Sequence, residues 1–383
     1  MTGASAARGA GPRHLLLIGV GLALAGVAWT VLSTDHLTRA HRWFWKAACA
    51  VGIVMSTWAM PSANPTPATP PTEKAPQPPG EGPKKPKKNG IKVGKSLPIG
   101  ARITALDAGP DGLWMAAAAQ FGFYDPANPD VPPDTRPAKG RAFDIATTRE
   151  LLIVVRGGTG YFIDKSTGEW VYKPLPFSEA PGHVAAGFDV AWFCNETQSK
   201  VDWLDLKTGV VGDLTVPGVP KAIIATAGAI WVAVDVEPEV AADKGWLVRI
   251  DPKTRREVAR VAIPSGATAL TYGFGHIWLA FGERELVNRV DPENMTVAEV
   301  DIKVTADVIA LAVADGSVWA LGGATKQLDR IDPEKNEVIA HERLPRRLRT
   351  PSDLAAYEDE LWLTDKFSGT LTFIETTSAN KRP

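Results

Sequence analysis

The sequence predicts an all-β protein in which seven similar units close into a ring, and three observations lead to this fold class. A short apolar core, usually with tryptophan in its second place, recurs along the C-terminal three quarters of the 383-residue chain. An apolar run ending in an acidic turn follows each core. Both signals return at intervals of about 40 residues, the length of a four-stranded blade. The predicted architecture is therefore a seven-bladed β-propeller.

The cores and turns give the blades in order. The core markers are Trp114, Ile153, Trp192, Trp231, Trp278, Trp319 and Trp362, and the turns carry Asp125, Asp164, Asp205, Asp251, Asp291, Asp332 and Glu375. Alternating apolar and polar residues, with DP, DG and GG between them, favour strands over helical repeats. We expect the tryptophans to pack between blades and the aspartates to accept backbone N–H groups of their own turns.

The seventh unit ends after its third strand, and a matching strand is found at the start of the repeat region. Residues 91–116 align with the end of one unit and the beginning of the next, so Lys92 to Pro98 form an outer strand without a blade. We expect this strand to complete the seventh blade, because closure removes an open sheet edge. The propeller is predicted to span residues 91–380.

The first sixty residues are predicted to be a membrane region. Residues 15–32 are uncharged and as a helix would cover about 27 Å, enough to cross the hydrocarbon core. Residues 43–60 form a weaker span because they contain Lys46. Residues 61–90 are rich in proline and lysine and are predicted to be an extended linker. If one segment spans, the propeller faces outward; if both span, it returns to the starting side.

Charge and cysteine content exclude several classes of function. Residues 1–90 contain ten Lys and Arg against three Asp and Glu, so the propeller region carries a net charge of about −8. A nucleic-acid-binding globular domain is therefore not expected. The two cysteines, Cys49 and Cys194, allow neither a disulfide framework nor a cysteine-based zinc site.

The RIDP turns followed by Thr or Glu, together with the IWVA and IWLA cores, carry a family resemblance. Residues 91–380 resemble the YVTN/NHL-type β-propellers, including the streptogramin-lyase-like branch. This resemblance implies the fold and little about function, because the superfamily contains enzymes, surface proteins and binding scaffolds. The lyases use histidine and glutamate with a divalent metal. Their WFTE-like core is WLAF here, so no catalytic residue is carried across.

A departure from the repeat gives the first candidate site. Nine residues before the core marker, most units have alanine, whereas the second, third and seventh have Asp144, His183 and Asp353. These side chains should lie on one arc of the ring, with Lys221 one position earlier in the fourth unit. Asp144 and Asp353 could bind a divalent cation, or a carboxylate could orient His183 for proton transfer. Alternatively, each aspartate caps its strand start.

Two other groups are weaker candidates. The longest insertion, residues 235–246, is acidic and contains Glu237, Glu239 and Trp246. A loop of this kind on a rigid ring is a candidate contact surface for a protein or glycan partner, or a neutral variation in length. His276 with Glu283 and Glu285 forms a second cluster, with a surface histidine as the alternative.

These patterns predict a membrane-anchored propeller that acts as a non-catalytic binding module, with its globular part outside the cytoplasm and no cofactor beyond a possible divalent cation. The alternative is a metal-assisted lyase or hydrolase of the streptogramin-lyase-like type, with its site at the central channel. A third possibility places the propeller in the cytoplasm after a helical hairpin.

Overall fold

The computed structural model describes residues 91–100, 102–138, 141–178, 182–237 and 243–376. In this part of the chain, strands form seven antiparallel sheets, as predicted. No helix of the described part is long and apolar enough to cross a membrane. The predicted spans at 15–32 and 43–60 and the linker at 61–90 lie outside the described residues.

The blades follow one another along the chain, and each starts with its innermost strand. Blade 1 contains β2 (Ile103–Gly109), β3 (Gly112–Ala117), β4 (Gln120–Tyr124) and β5 (Asp134–Pro137). Blade 2 contains β6 (Asp144–Thr147), β7 (Leu151–Arg156), β8 (Thr159–Asp164) and β9 (Leu175–Pro176). Blade 3 contains β10 (Val184–Gly187), β11 (Val190–Asn195), β12 (Lys200–Asp205) and β13 (Val211–Thr215). Blade 4 contains β14 (Val219–Thr226), β15 (Ala229–Asp235), β16 (Lys244–Asp251) and β17 (Arg256–Pro264).

The remaining blades close the ring. Blade 5 contains β18 (Ala269–Gly273), β19 (His276–Phe281), β20 (Leu286–Asp291), β21 (Thr296–Val297) and β22 (Ile302–Lys303), with a 3₁₀ turn at Gly282–Arg284. Blade 6 contains β23 (Val308–Ala314), β24 (Ser317–Gly322), β25 (Gln327–Asp332) and β26 (Glu337–Arg343). Blade 7 contains β27 (Pro351–Tyr357), β28 (Glu360–Asp365), β29 (Thr370–Thr376) and β1 (Ile91–Pro98).

The N-terminal strand completes the seventh blade, as the missing strand predicts. β1 pairs antiparallel with β29, and the strand order of this sheet is β1-β29-β28-β27. The Ser96 hydroxyl lies 2.9 Å from that of Thr372, and Lys92 Nζ lies 2.9 Å from a carboxylate oxygen of Glu375. The two ends of the propeller region therefore meet in one sheet, which fastens the ring.

Two blades depart from the regular pattern at their outer strands. In blade 2, β9 has two residues, because Pro174 and Pro176 lack the N–H groups that a longer ladder needs. In blade 5, β21 and β22 both pair with β20, so the outer strand is in two pieces. The first three strands are continuous in every blade, with a register shift between the first and second strands of blades 1, 4, 6 and 7. They form most of the interface between blades.

The core consists of apolar layers between neighbouring blades. Trp231 of blade 4 is fully buried in a cluster with Leu279 and Phe281 of blade 5, and Trp362 of blade 7 belongs to a cluster with Leu113 of blade 1. All six marker tryptophans are buried in such clusters. Their predicted packing role is confirmed.

The RxDP motifs join neighbouring blades as well as forming turns. Asp251 accepts N–H bonds from Lys253 and Thr254, the cap that the sequence predicts. The arginine two positions before the aspartate has a separate role in two of the three motifs, and the repeat pattern alone did not indicate it; in the third, Arg330 donates to Ser317 and Asp315 of its own blade. Arg289 lies over the Trp278 ring at 5.5 Å and donates to the Pro333 carbonyl of the next blade at 2.7 Å.

Arg249 makes the same two contacts one blade earlier. Its guanidinium lies 5.5 Å from the centre of the Trp231 ring and donates to the Pro292 carbonyl at 3.1 Å. We call Arg249 and Arg289 the arginine latches. They tie blade 4 to blade 5 and blade 5 to blade 6, at the end of the ring where the third strands meet the DP turns.

Candidate functional site

The inner strands of all blades start at the same end of the ring, and this end carries the candidate site. We call it the loop face, defined by the segments that lead into inner strands, such as 141–143, 216–218 and 345–350, and by the turns between second and third strands. The residues nine positions before the core markers begin these strands beside the central channel. The DP turns lie at the opposite end, the turn face.

His183 and Asp144 are in contact across the junction of blades 2 and 3. His183 Nδ1 lies 3.1 Å from Asp144 Oδ2, and both side chains are partly exposed. The same carboxylate oxygen accepts the Val184 N–H at 3.1 Å, while Oδ1 accepts the Ile145 N–H at 2.8 Å. Asp144 therefore orients the imidazole and also joins the backbones of two blades.

Asp353 has an equivalent arrangement between blades 7 and 1. Its Oδ2 accepts the Leu106 N–H of blade 1 at 2.8 Å, and its Oδ1 accepts the N–H of Leu354, the next residue. A third carboxylate, Asp107, lies on the inner strand of blade 1, two residues after Ala105. It accepts both the N–H and the hydroxyl of Thr147 in blade 2, each at 2.7 Å. We call Asp353, Asp107 and Asp144 the carboxylate clamps.

Burial and mutual repulsion change the protonation of this arc. Burial raises the pKa of Asp353 to about 7, the N–H bonds from Leu106 and Leu354 oppose that shift, and the negative charges of Asp144 and Asp107 add to it. Burial also raises the pKa of Asp107, against the stabilising bonds from Thr147. Protons are therefore held on Asp353 and Asp107 more readily than on exposed carboxylates.

The pKa of the His183 imidazole is also raised. Burial lowers its pKa, but the hydrogen bond and charge of Asp144, with the charges of Glu196 and Asp353, outweigh burial and raise the pKa above its ordinary value. The ring therefore stays protonated to a higher pH than a free histidine would, and in that form it makes an ion pair with Asp144. The Phe143 ring packs against the imidazole edge, with the two centroids 5.3 Å apart.

The candidate metal ligands do not fit a divalent cation. Among the described residues, no group of three or more His, Cys, Asp and Glu side chains is arranged to hold a metal ion. Both oxygens of Asp144 and both oxygens of Asp353 accept backbone N–H groups, so their lone pairs point at donors. The turn-capping alternative describes these two aspartates better than metal ligation does.

Lys221 lies at the loop face as predicted from its position, but it pairs with a residue that the repeat pattern did not single out. Its Nζ lies 2.7 Å from Glu196 Oε2, and both side chains are partly buried. Glu196 occupies the turn between β11 and β12, at a position where blade 4 has Asp235 and blade 7 has Lys366. A charged residue in the turn neighbouring Lys221 was the available signal for this pair.

The three candidate residues of the acidic insertion differ in their surroundings. Glu237 is exposed on the loop face, and Glu239 lies outside the described residues. Trp246 is half-buried, belongs to the edge of the core between blades 3 and 4, and is covered by Arg260 at 5.6 Å. It therefore contributes packing to the base of the insertion.

His276 does not meet Glu283 and Glu285. β19 begins with His276, and the two glutamates follow its far end, so seven residues of extended chain, about 20 Å, separate His276 from Glu283. His276 Nδ1 donates to the Phe274 carbonyl at 2.8 Å on the turn face. The surface-histidine alternative describes this residue.

A cavity of about 280 Å³ opens at the channel mouth, between the inner strands of blades 1, 2, 6 and 7. We call it the mouth cavity; its walls include Thr104, Arg141, Phe143, Ile309, Ser352 and Lys366. Neither Arg141 nor Lys366 makes an ion pair with any described residue. Sequence reasoning missed both cations because they lie in loops outside the repeated core.

Charges on the loop face are divided into two halves. The half formed by blades 6, 7, 1 and 2 carries Arg102, Arg141, Arg346, Arg347, Arg349 and Lys366. The same half contains Asp365, which is buried and accepts the Thr350 N–H. The half formed by blades 3, 4 and 5, with the segment leading into blade 6, carries Glu196, Asp235, Glu237, Asp243, Glu283, Glu285 and Asp307, together with the cations Lys221 and Arg284. The mouth cavity belongs to the basic half, although the propeller region as a whole is acidic.

Comparison with solved structures confirms the predicted resemblance at the level of fold. A streptogramin B lyase superposes with a TM-score of 0.61 at 13% identity, covering 75% of this chain and 98% of that one. Virginiamycin B lyase from Staphylococcus aureus gives 0.62 at 13%, covering 75% and 100%. The Cps50 (Swd1) β-propeller domain from Myceliophteria thermophila gives 0.61 at 12%, covering 75% and 100%.

Sequence comparison adds nothing beyond the fold. No protein-family model matches the chain, and no curated protein matches it. A lyase and a Cps50 (Swd1) domain superpose on this chain equally well, so the comparison shows the β-propeller fold alone.

Proposed function

We propose that the chain is a non-catalytic binding module, a propeller that presents its loop face to a partner from a membrane anchor. The observation that carries this proposal is the use of the channel carboxylates. Asp144 and Asp353 are the best catalytic candidates from the sequence, but each has one oxygen bonded to the N–H of the next residue and the other to an N–H of the neighbouring blade. Arg141 and Lys366, which form no ion pair with any described residue, line a concave surface at the same end of the ring, an arrangement suited to binding.

The binding role is testable by photo-crosslinking in cells. Phe367 is 64% exposed on the loop face, whereas Val258 is 55% exposed on outer strand β17. With a benzophenone amino acid at position 367, we expect a discrete adduct of higher mass. The same substitution at position 258 is the matched control and should give none. Absence of an adduct at 367, or identical adducts from both positions, would contradict the proposal.

The membrane anchor and outward orientation are part of the same proposal. An apolar segment at 15–32 and a proline-rich linker at 61–90, about 90 Å when extended, suit a tethered domain at the cell surface. With a tag after Pro383, external protease should remove the tag from intact cells while a cytoplasmic marker stays intact. Protection of the tag until lysis would place the propeller in the cytoplasm and refute this orientation.

A lyase-type activity is the second candidate, and the His183–Asp144 contact is the observation in its favour. A carboxylate-oriented histidine at a channel mouth is an arrangement for proton transfer. Quinupristin is the compound bound to one structural relative, an inactive virginiamycin B lyase. We expect no change in its mass or retention on incubation with the full chain and a divalent cation. Conversion that disappears in His183→Ala would replace the binding proposal with this one.

A further inference from the structure

We infer that the mouth cavity binds an anionic group, a carboxylate or a phosphate, carried on a body with an apolar side. This inference rests on the proposed binding function and names the chemistry of its ligand. Three observations support it. The cations at the cavity have no counter-charge among the described residues, other cavity residues can meet the rest of a ligand, and the nearby carboxylates are bonded to backbone N–H groups.

The two cations of the mouth cavity, the exposed Arg141 and the partly buried Lys366, differ from the partly or fully buried lysines that form ion pairs elsewhere in the propeller. Lys221 is paired with Glu196 at 2.7 Å, and Lys165 with Asp111 at 2.5 Å. Arg141 and Lys366 have no such partner among the described residues, although both line a concave surface. A guanidinium and an ammonium group that converge without counter-charge are the donors that bind carboxylate or phosphate oxygens.

Groups between the cations can complete an anion site and accommodate an apolar body. The Lys366 N–H donates to the Thr350 carbonyl at 2.8 Å, which joins the backbones of two residues that both line the cavity. On the other side, Phe143 is 41% exposed and forms the cavity wall with Ile309. A ligand that fills the cavity would therefore meet cations at one side and an aromatic ring at the other.

The carboxylates of the channel do not cancel this site. Asp144 and Asp353 begin the inner strands next to the cavity, but each accepts two backbone N–H bonds, and Asp144 also faces His183. The negative charge of each carboxylate is thus stabilised by hydrogen-bond donors of the ring itself. Further arginines at 346 and 349 are exposed on the loop from β26 to β27, so the surrounding field attracts anions to the mouth.

Fluorine NMR with the full chain in a non-ionic detergent tests the inference. The probes are 4-fluorophenyl phosphate, 4-fluorophenylacetate and, as the cationic counterpart, 4-fluorobenzylammonium. We expect one or both anions to bind and the cation not to bind. The double variant Arg141→Gln/Lys366→Gln should weaken anion binding by about tenfold or more, because charge-assisted hydrogen bonds are lost.

A matched double variant controls for net charge. Arg256→Gln/Lys303→Gln removes the same two charges from outer strands of blades 4 and 5, where both side chains are exposed, and should leave the affinity unchanged. Arg141→Lys should retain part of it. Preference for the phosphate probe would indicate a phosphorylated ligand, and preference for the carboxylate an acidic one; either result supports the site.

Three results would overturn the inference: no binding of either anion, equal binding of the cation, or equal weakening by the two double variants. Each leaves the crosslink at position 367 as a separate test of the binding function. Conversely, if an anionic probe bound through Arg141 and Lys366 and its fluorine signal moved to that of a new compound, the site would stand and the non-catalytic function would fail.

Discussion

The ring is held together in two ways, and comparing its two arcs shows why charge collects at the channel mouth. Blades 4 to 6 use the arginine latches, Arg249 and Arg289, which lie at the turn face. Blades 7, 1, 2 and 3 use the carboxylate clamps, Asp353, Asp107 and Asp144, which lie beside the channel at or near the loop face. Both devices join one blade to the next, but they place charge at different places.

This difference explains the small residues at the inner strand starts of the latched arc. Ala222, Ala269 and Ala310 occupy the positions that Asp144 and Asp353 occupy in the clamped arc. In the latched arc, the bridge at the inner strand starts of blades 5 and 6 is an uncharged one, from the Thr268 hydroxyl to the Val308 carbonyl. Where clamps are used, titratable groups lie next to the mouth cavity. Departures from the repeat therefore indicate a structural device first and a neighbouring site second.

The largest expected effect is common to both arcs, because the apolar layers do not depend on either device. Trp278 in the latched arc and Ile153 in the clamped arc are fully buried at equivalent positions. We expect Trp278→Ala to destabilise the fold by about 3–5 kcal/mol and Ile153→Ala by about 2–5 kcal/mol. Urea unfolding followed by circular dichroism measures both. A negligible change in either arc would show that its apolar layer contributes little.

The next effect distinguishes the arcs at the channel. Asp353→Ala leaves the N–H groups of Leu106 and Leu354 without their acceptor in buried surroundings, and we expect a loss of about 2 kcal/mol. Asp353→Asn retains one acceptor oxygen and should lose less. Ala310→Gly, at the equivalent position of blade 6, serves as the control for backbone effects. Equal stability of the two Asp353 variants would contradict the clamp.

The sequence predicted the parts of the fold that repeat and the residues that break the repeat at a fixed position. The closing strand, the tryptophan layers and the approach of His183 to Asp144 all follow from alignment of the units. Contacts made by residues in loops do not. Glu196, Asp235 and Lys366 each lie four residues after their core marker, but the pattern does not show what any of them contacts, and Arg141 has no fixed register. That Arg141 and Lys366 line one cavity follows only from the three-dimensional ring.

The arginine latches are an intermediate case. Arg249 and Arg289 are visible in the RxDP motifs, but a motif shows only that the residue recurs. Their partners, the carbonyls of Pro292 and Pro333, lie about 43 residues further along the chain, in the next blade. Such a contact follows from the sequence only after the order and packing of the blades are known.

A smaller effect is expected for the latches themselves. Arg289→Met retains the stem over Trp278 but removes the donor to the Pro333 carbonyl, and we expect a loss of about 1 kcal/mol. Arg256→Met, on the exposed outer strand of blade 4, is the matched control and should change the unfolding midpoint little. If the two variants were equally stable, the latch would be a contact without an energetic role.

A further difference between the arcs is the dependence of the clamped arc on pH. Between the ordinary pKa of 3.8 and the raised value of about 7, the folded chain holds a proton on Asp353 that the unfolded chain has lost. This contribution to stability is therefore present in full below pH 3.8 and declines as pH rises toward 7. The raised pKa of His183 extends the decline in the same direction.

A pair of variants with opposite signs makes this pH effect measurable. Asp353→Asn should flatten the fall of the melting temperature between pH 4.5 and pH 7.5. At Asp251, on the latched side, N–H bonds led by that of Thr254 lower the pKa, so its contribution is present above pH 3.8 and lost as pH falls. Asp251→Asn should instead reduce stability at neutral pH and leave the decline toward pH 7.5 in place. If Asp353→Asn kept the full decline, protonation of the clamp would not be its source, and the two arcs would differ in geometry alone.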